Sequence, residues 1–240
     1  MEIPEPVQPY LRIKTNELLD ELNVKLDHND GTENNDNYDL SLLREAFSKL
    51  YDTMATLDIA AHHDIPSLGE YALNLCTNGS SLAGKLSLPQ VQSEFEKLSV
   101  TIALWIARNQ GELITLEIVV DGLAKYANLA KEPEELRKIY AVISEIMSVI
   151  ATPLRLDLDK SNPGRPWRIL NLNRAIIATR THQPAIMEEA FEAFIHNLPE
   201  EAPGFFTEGM KQMEQMTYPD PVRNVMESYY LKWANDKELH

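Results

Sequence analysis

The sequence predicts an all-α protein of stacked antiparallel helical hairpins, an α-solenoid of about nine or ten helices, with a compact multi-helix bundle as the alternative. Three observations lead there. Apolar residues recur at three- and four-residue spacing, and from about residue 88 these stripes start and stop at punctuated intervals. No segment alternates with period two, and the β-branched residues sit inside helical stripes. The organisation expected is a less regular N-terminal region, 1–87, with a mobile loop over 27–38, followed by a helical-hairpin repeat region, 88–240, in one continuous domain.

Gln8 to Asp27 carries Leu11, Leu18, Leu19, Leu22 and Leu26 at helical intervals, with Thr15 or Asn16 placed to cap its main body. The run from Asp27 to Asn37 has no apolar residue, and its Asp and Asn side chains compete for backbone hydrogen bonds, so it reads as a loop. Asp39 or Ser41 then starts a helix whose stripe is Leu42, Leu43, Ala46, Phe47, Leu50, Met54, Leu57 and Ala61. Pro66 opens a short helix through Leu75, which Asn78-Gly79-Ser80-Ser81 and Gly84 punctuate before Pro89.

Pro89 to Ile106 is the next helix, on Val91, Phe95, Leu98, Ile102, Leu104, Trp105 and Ile106, and Asn109-Gln110-Gly111 stops it. Leu113 to Leu129 is its antiparallel return, and Pro133 begins a third segment reaching Ile150. Between Arg155 and Pro166 the prolines and Gly164 prevent regular hydrogen bonding and predict a long exposed connector. Trp167 to Thr179 is apolar on nearly every side, as a helix buried between neighbours must be. Pro184 to Leu198, Pro203 to Met216 and Pro219 to Trp233 follow, each with proline in its first turn. Pro184 and Pro221 are 37 residues apart, and the stripe Leu113, Leu116, Val120, Ala124 returns 74 residues later as Met187, Ala190, Phe194, Leu198, which implies one helix pair per step.

Phe205-Phe206-Thr207-Glu208-Gly209-Met210 through Tyr218-Pro219-Asp220-Pro221-Val222-Arg223, with Val225, Met226 and Tyr229 after it, resembles one HEAT repeat. In that family an aspartate, a proline and a valine-arginine pair introduce the second helix; the earlier hairpins of this chain lack the aspartate and arginine. The resemblance implies a scaffold that binds through an exposed face. A stack of hairpins gives the same expectation on physical grounds, because its apolar residues are consumed between neighbours and exposed side chains carry the function.

Thirty-seven acidic against 22 basic side chains give a formal charge of −15, a field that repels phosphate backbones and anionic lipid and argues against nucleic acid and membrane as partners. No apolar run reaches the roughly 18 residues of a membrane span. The acidic, proline-interrupted start Met1-Glu2-Ile3-Pro4-Glu5-Pro6 does not read as a leader, and the single cysteine, Cys76, forms no intrachain disulfide, so a cytoplasmic location is expected.

Against that acidity, Arg155, Lys160, Arg165, Arg168, Arg174 and Arg180 face only Asp157 and Asp159 in their own segment. The cluster, with Trp167 inside it, has the composition of an interface hot spot for a protein partner bearing acidic groups. The plainer reading is that these arginines neutralise Glu188, Glu189 and Glu192 while Trp167 fills the core. Tyr229, Tyr230 and Trp233 at the C-terminal end suit pairing of subunits in a homodimer. The binding residues expected are therefore Arg165, Trp167, Arg168, Arg174, Tyr229, Tyr230 and Trp233. Met210, Met213 and Met216, with Met187 and Met226, form a stripe suited either to core filling or to an adaptable interface.

Catalytic patterns are sparse. His62-His63-Asp64 resembles the His-Asp doublet of HD-domain phosphohydrolases, also all-α, which implies a divalent-metal site on His63 and Asp64 with Asp121 as a further ligand; the glycine and lysine that follow the doublet in that family are replaced by Pro66 and Ser67. Asp58 with His62, and Glu192 with His196, share helix faces but lack the Glu-x-x-His units of a di-iron bundle and read as surface pairs. Cys76 lies in an apolar stretch without a neighbouring histidine, and the Gly84-Lys85 pair lacks phosphate-loop spacing. A scaffold without catalytic residue or cofactor is the function expected. A metal-dependent phosphohydrolase and a small-ligand sensor with an interhelical pocket near Trp105 or Trp167 are the alternatives.

Overall fold

Apolar spacing of three and four residues is realised as helix along the chain. The computed structural model describes residues 2–28, 34–56, 64–158 and 160–233, and among these the regular structure is eleven helices with no strand. Contacts divide the chain into two units, Met1–Leu129 with Val142–Leu156, and Ala130–Ala141 with Asp157–His240. The division falls after residue 129, after residue 141 inside a helix, and after residue 156.

In the first unit α1 (Gln8–Asp27), α2 (Asn34–Thr56), α3 (Ile65–Lys85), α4 (Pro89–Arg108) and α5 (Glu117–Leu129) gather about α4, which packs on α1, α3 and α5. Every residue from Val100 to Ile106 is buried, as a helix with three neighbours requires. α1 and α2 are joined by a buried contact of 2.5 Å between Thr15 Oγ1 and the Tyr51 hydroxyl, and by Arg12–Asp52 and Arg44–Asp20 ion pairs at 2.7 and 2.8 Å. The polar run expected to remain a loop through residue 38 is helical from Asn34. The buried stripe Leu40, Leu43, Phe47 and Leu50, together with Asp36 in the first turn, outweighs the poor local propensity. Residues 29–33 and 57–63 lie outside the described residues.

α3 is longer than the short helix ending at Leu75, for it runs straight through Asn78-Gly79-Ser80-Ser81. Gly79 is a contact residue there: a Cβ would lie 2.6 Å from the Phe95 ring, so its absence lets α4 seat that ring against the α3 backbone. The helix stops instead at Ser87, whose φ of 56° is left-handed. The Ser87 and Leu88 amides donate to the Gly84 and Ala83 carbonyls at 3.0 and 2.9 Å. α5 begins at Glu117 and not at Leu113, because the Leu113 amide donates to Val149 and its carbonyl accepts from Ala151, at 2.7 and 2.9 Å, in an isolated parallel bridge with Ile150. α7 (Thr152–Arg155) is a single turn beyond that bridge.

The second unit takes residues 133–141 of α6 (Pro133–Met147), then α8 (Pro166–Arg180), α9 (Pro184–Asn197), α10 (Ala202–Gln215) and α11 (Asp220–Trp233). α8 pairs with α9 and α10 with α11, and the two hairpins stack through α9 and α11. Phe191 anchors the stack, its ring centroid 5.2 to 5.8 Å from those of Phe205, Phe206 and Tyr229 in edge-on contacts. Arg223 reaches back to the Met213 carbonyl in the last turn of α10, so the valine-arginine pair ties its own hairpin together.

Two sequence expectations need correction here. The connector 155–166 is only partly exposed, since Asp157 and Arg165 are both buried and bonded to each other. The 74-residue recurrence does not relate equivalent elements: Leu113 and Leu116 precede α5, whereas Met187 and Ala190 lie inside α9.

Candidate functional site

The stacking of α9 on α11 leaves α8 and α10 without a packed interface of their own. The result is a groove of about 690 Å³ within the second unit. On the α8 side Leu172, Ile176 and Thr179 face it, and on the α10 side Gly204, Phe205, Gly209 and Met213, with Met226 of α11 as floor. Ile176 and Met216 are 46% and 53% exposed. α8 therefore presents an open apolar face, contrary to the complete burial expected of Trp167 to Thr179.

Two glycines shape the α10 wall. At Gly209 a Cβ would stand 2.5 Å from the Met226 sulfur, so the missing side chain is what lets that thioether lie in the floor. At Gly204 a Cβ would meet nothing within 4 Å, which leaves the wall low and open. Met213 and Met226 are almost fully buried while Met216 stands at the mouth, so the stripe divides between core filling and exposed surface. Flexible thioethers in such a lining adapt to differently shaped apolar groups.

One end of the groove is shut by a two-bonded ion pair in which Arg168 Nη2 donates to Glu201 Oε2 at 2.8 Å and Nε to Oε1. The guanidinium bonds hold the Glu201 carboxyl below the usual carboxylate range, and the carboxylate raises the Arg168 guanidinium in return. Toward the other end lie Arg180, which donates to the Ala130 carbonyl at 3.0 Å, and Tyr218, whose ring meets His182 edge-on at 5.6 Å.

Two further arginines of the cluster are spent inside the unit. Arg165 donates from Nε to Asp157 at 2.6 Å, with both side chains at least nine-tenths buried. Arg174 donates to the Tyr140 hydroxyl and to Glu189, each at 2.7 Å, and stacks on the Tyr140 ring at 4.8 Å. Lys160 bonds Glu200. Trp167 is core, 5% exposed, and its Nε1 has no acceptor among the described residues. Tyr229 is core as well, its hydroxyl donating to Glu192 at 2.8 Å, while Tyr230 and Trp233 are half-buried near the end of α11.

Of the residues expected to serve phosphohydrolase chemistry, Asp64 and Asp121 are among the described residues. His63 lies outside them. Asp64 is exposed at the N-cap of α3, and Asp121 is on the exposed side of α5, its carboxyl raised by partial burial and by Glu117 against the opposing pull of Lys125. No three His, Cys, Asp or Glu among the described residues are grouped to hold a metal ion. Cys76 is fully buried, and that burial pushes its thiol up, away from the nucleophilic thiolate.

Neither Trp105 nor Trp167 lines the groove. Sequence reasoning singled out its methionines and Arg168 but missed Leu172, Ile176 and Gly204. The available signal was the pair Leu172 and Ile176, four apart on one helical face. No helix among the described residues is long and apolar enough to cross a membrane. Comparison with protein-family models, curated proteins and solved structures gives no match to this chain.

Proposed function

We propose that the chain is a non-enzymatic helical scaffold that binds a partner protein, and that its working surface is the groove between α8 and α10. The observation that carries this reading is an apolar channel with Ile176 and Met216 exposed at its mouth, in a unit whose other large apolar side chains are mostly consumed by packing. Exposed contiguous apolar surface of this kind is costly in a protein that does not use it. The arginine cluster supports the groove instead of forming a separate acidic-group receptor, since Arg165, Arg168 and Arg174 already bond Asp157, Glu201 and Glu189.

The test is affinity capture with the wild-type chain and with Gly204→Trp, which adds bulk to the groove wall at an exposed helical position where a Cβ meets nothing within 4 Å. The expected result is a set of proteins held by the wild type and lost from the variant at unchanged melting temperature. Capture of the same set by both would refute the reading. A small-ligand sensor is the second reading, favoured by one fact: about 690 Å³ lies inside the usual range of small-molecule pockets. A thermal-shift screen against apolar metabolites tests it, with Gly204→Trp as the control that must lose any shift.

A further inference from the structure

A second groove, of about 360 Å³, lies between α2 and α3 in the first unit. Its lining comes from the early part of α2, Asp39, Leu42, Leu43 and Ala46, and from the late part of α3, Leu75, Asn78, Ser81, Leu82 and Lys85. The two helices therefore run antiparallel, which brings Asp39 and Lys85 to the same end of the groove. Spacings of three and four residues put each set on one face of its helix. Leu43, Leu75 and Leu82 are buried and make the floor, while Leu42 is exposed at the rim.

Asp39 stands on one wall and Lys85 on the other, yet no ion pair joins them. Neither is ion-paired or hydrogen-bonded through its side chain to any other described residue, and the same holds for Ser81, one turn before Lys85, and for Asn78. Other charges on the helices of this unit find partners: Lys49 pairs with Glu45, Arg44 with Asp20, and Lys14 and Lys97 share Glu94. An open carboxylate and an open ammonium thus share one end of a channel that runs on for about 10 Å along α2, from Asp39 to Ala46, over a leucine floor.

We propose that this groove binds an apolar α-amino acid as the free zwitterion. The ligand α-carboxylate takes the Lys85 ammonium and the Ser81 hydroxyl, its α-ammonium takes the Asp39 carboxylate, and its side chain lies along Leu42, Leu43 and Leu82. Such a ligand carries its two opposite charges around one carbon, which matches two opposite wall charges at one end of the groove with apolar surface beyond them. A volume near the lower end of the small-molecule range suits a ligand of this size. The site is independent of the docking reading for α8 and α10.

The experiment compares L-leucine, isocaproate and isoamylamine, which share one branched tail and carry both charges, the carboxylate alone and the ammonium alone. Each is titrated into the full chain at neutral pH, to millimolar concentration, with binding followed by protein NMR. Leucine is expected to bind at least about threefold more tightly than either analogue, the size an exposed charge pair supports. Asp39→Asn should erase the difference between leucine and isocaproate and keep that between leucine and isoamylamine; Lys85→Met should do the reverse. Both side chains are exposed and unpaired among the described residues, so neither substitution should move the melting temperature. Absence of leucine binding, leucine no tighter than both analogues, or differences that survive both substitutions would each overturn the proposal.

Discussion

One substitution, glycine to alanine inside a helix, should have opposite effects in α5 and α10. At Gly122 the new Cβ would stand 2.1 Å from the Glu96 carbonyl oxygen and 2.7 Å from Val100 Cγ2, and the nearer obstacle is backbone that no rotamer change removes. Restoring ordinary contact near 3.4 Å means opening the α4–α5 crossing by about 1.3 Å. That displacement breaks the longer arm of a shared bond from Ser99 Oγ, 3.1 Å to the Ile118 carbonyl, while the 2.6 Å arm to the Glu96 carbonyl within α4 persists, so the loss is at most about 1 kcal/mol. Overpacking adds about 1–3 kcal/mol, and the better helix propensity of alanine returns about 1 kcal/mol. The net expectation for Gly122→Ala is a destabilisation of about 2 kcal/mol. At Gly204 there is no obstacle within 4 Å, so Gly204→Ala keeps the propensity gain and stabilises by about 0.5 kcal/mol, less than the full amount because it sits in the first turn of α10. Urea unfolding followed by helical circular dichroism measures both. A Gly122→Ala protein as stable as wild type would refute the helix crossing as described.

Arg165→Met should cost about 3 kcal/mol, because it strands the Asp157 carboxylate, 6% exposed, without its cation, and Asp157→Asn in the same chain should recover more than half of that. Denaturant midpoints of the single and double variants check this; equal stability of Arg165→Met and wild type would show that the pair is not buried. Glu201→Gln should destabilise by about 1 kcal/mol at neutral pH through loss of the two-bonded pair with Arg168. Glu201 has its folded-state pKa depressed below 4.5, so its stabilisation is present above that value and is lost as pH falls through the folded pKa. The gap between wild type and Glu201→Gln should therefore narrow as the pH falls, as thermal unfolding from neutral pH through successively lower pH values would show; a constant gap contradicts the assignment.

Much of the helical pattern was legible because a 3.6-residue period and first-turn prolines are local properties. Pro89, Pro133 and Pro184 each open the helix that their fixed φ prepares. Errors arose where a distant contact reversed a local preference. Gly79 reads as a stop and is a seat for Phe95; Leu113 reads as helix and is held by Val149 and Ala151; the polar residues after Asn34 read as loop and are carried into α2 by the apolar stripe behind them. The candidate site was harder still. A cluster of arginines is visible in sequence, but whether each is spent on an internal carboxylate depends on which helices lie beside it, and here Asp157, Glu201 and Glu189 take three of them.

The sequence by itself determined an all-helical chain, its strong acidity and the methionines that line part of the groove, since composition and periodicity do not depend on neighbours. Tertiary structure alone decided that α9 packs on α11 while α8 and α10 stay apart, that Gly204 opens a wall and Gly209 makes room for Met226. The physical reason is that a helical face carries the same apolar pattern whether it is covered or left open. Only the arrangement of the other helices settles which face remains for a partner.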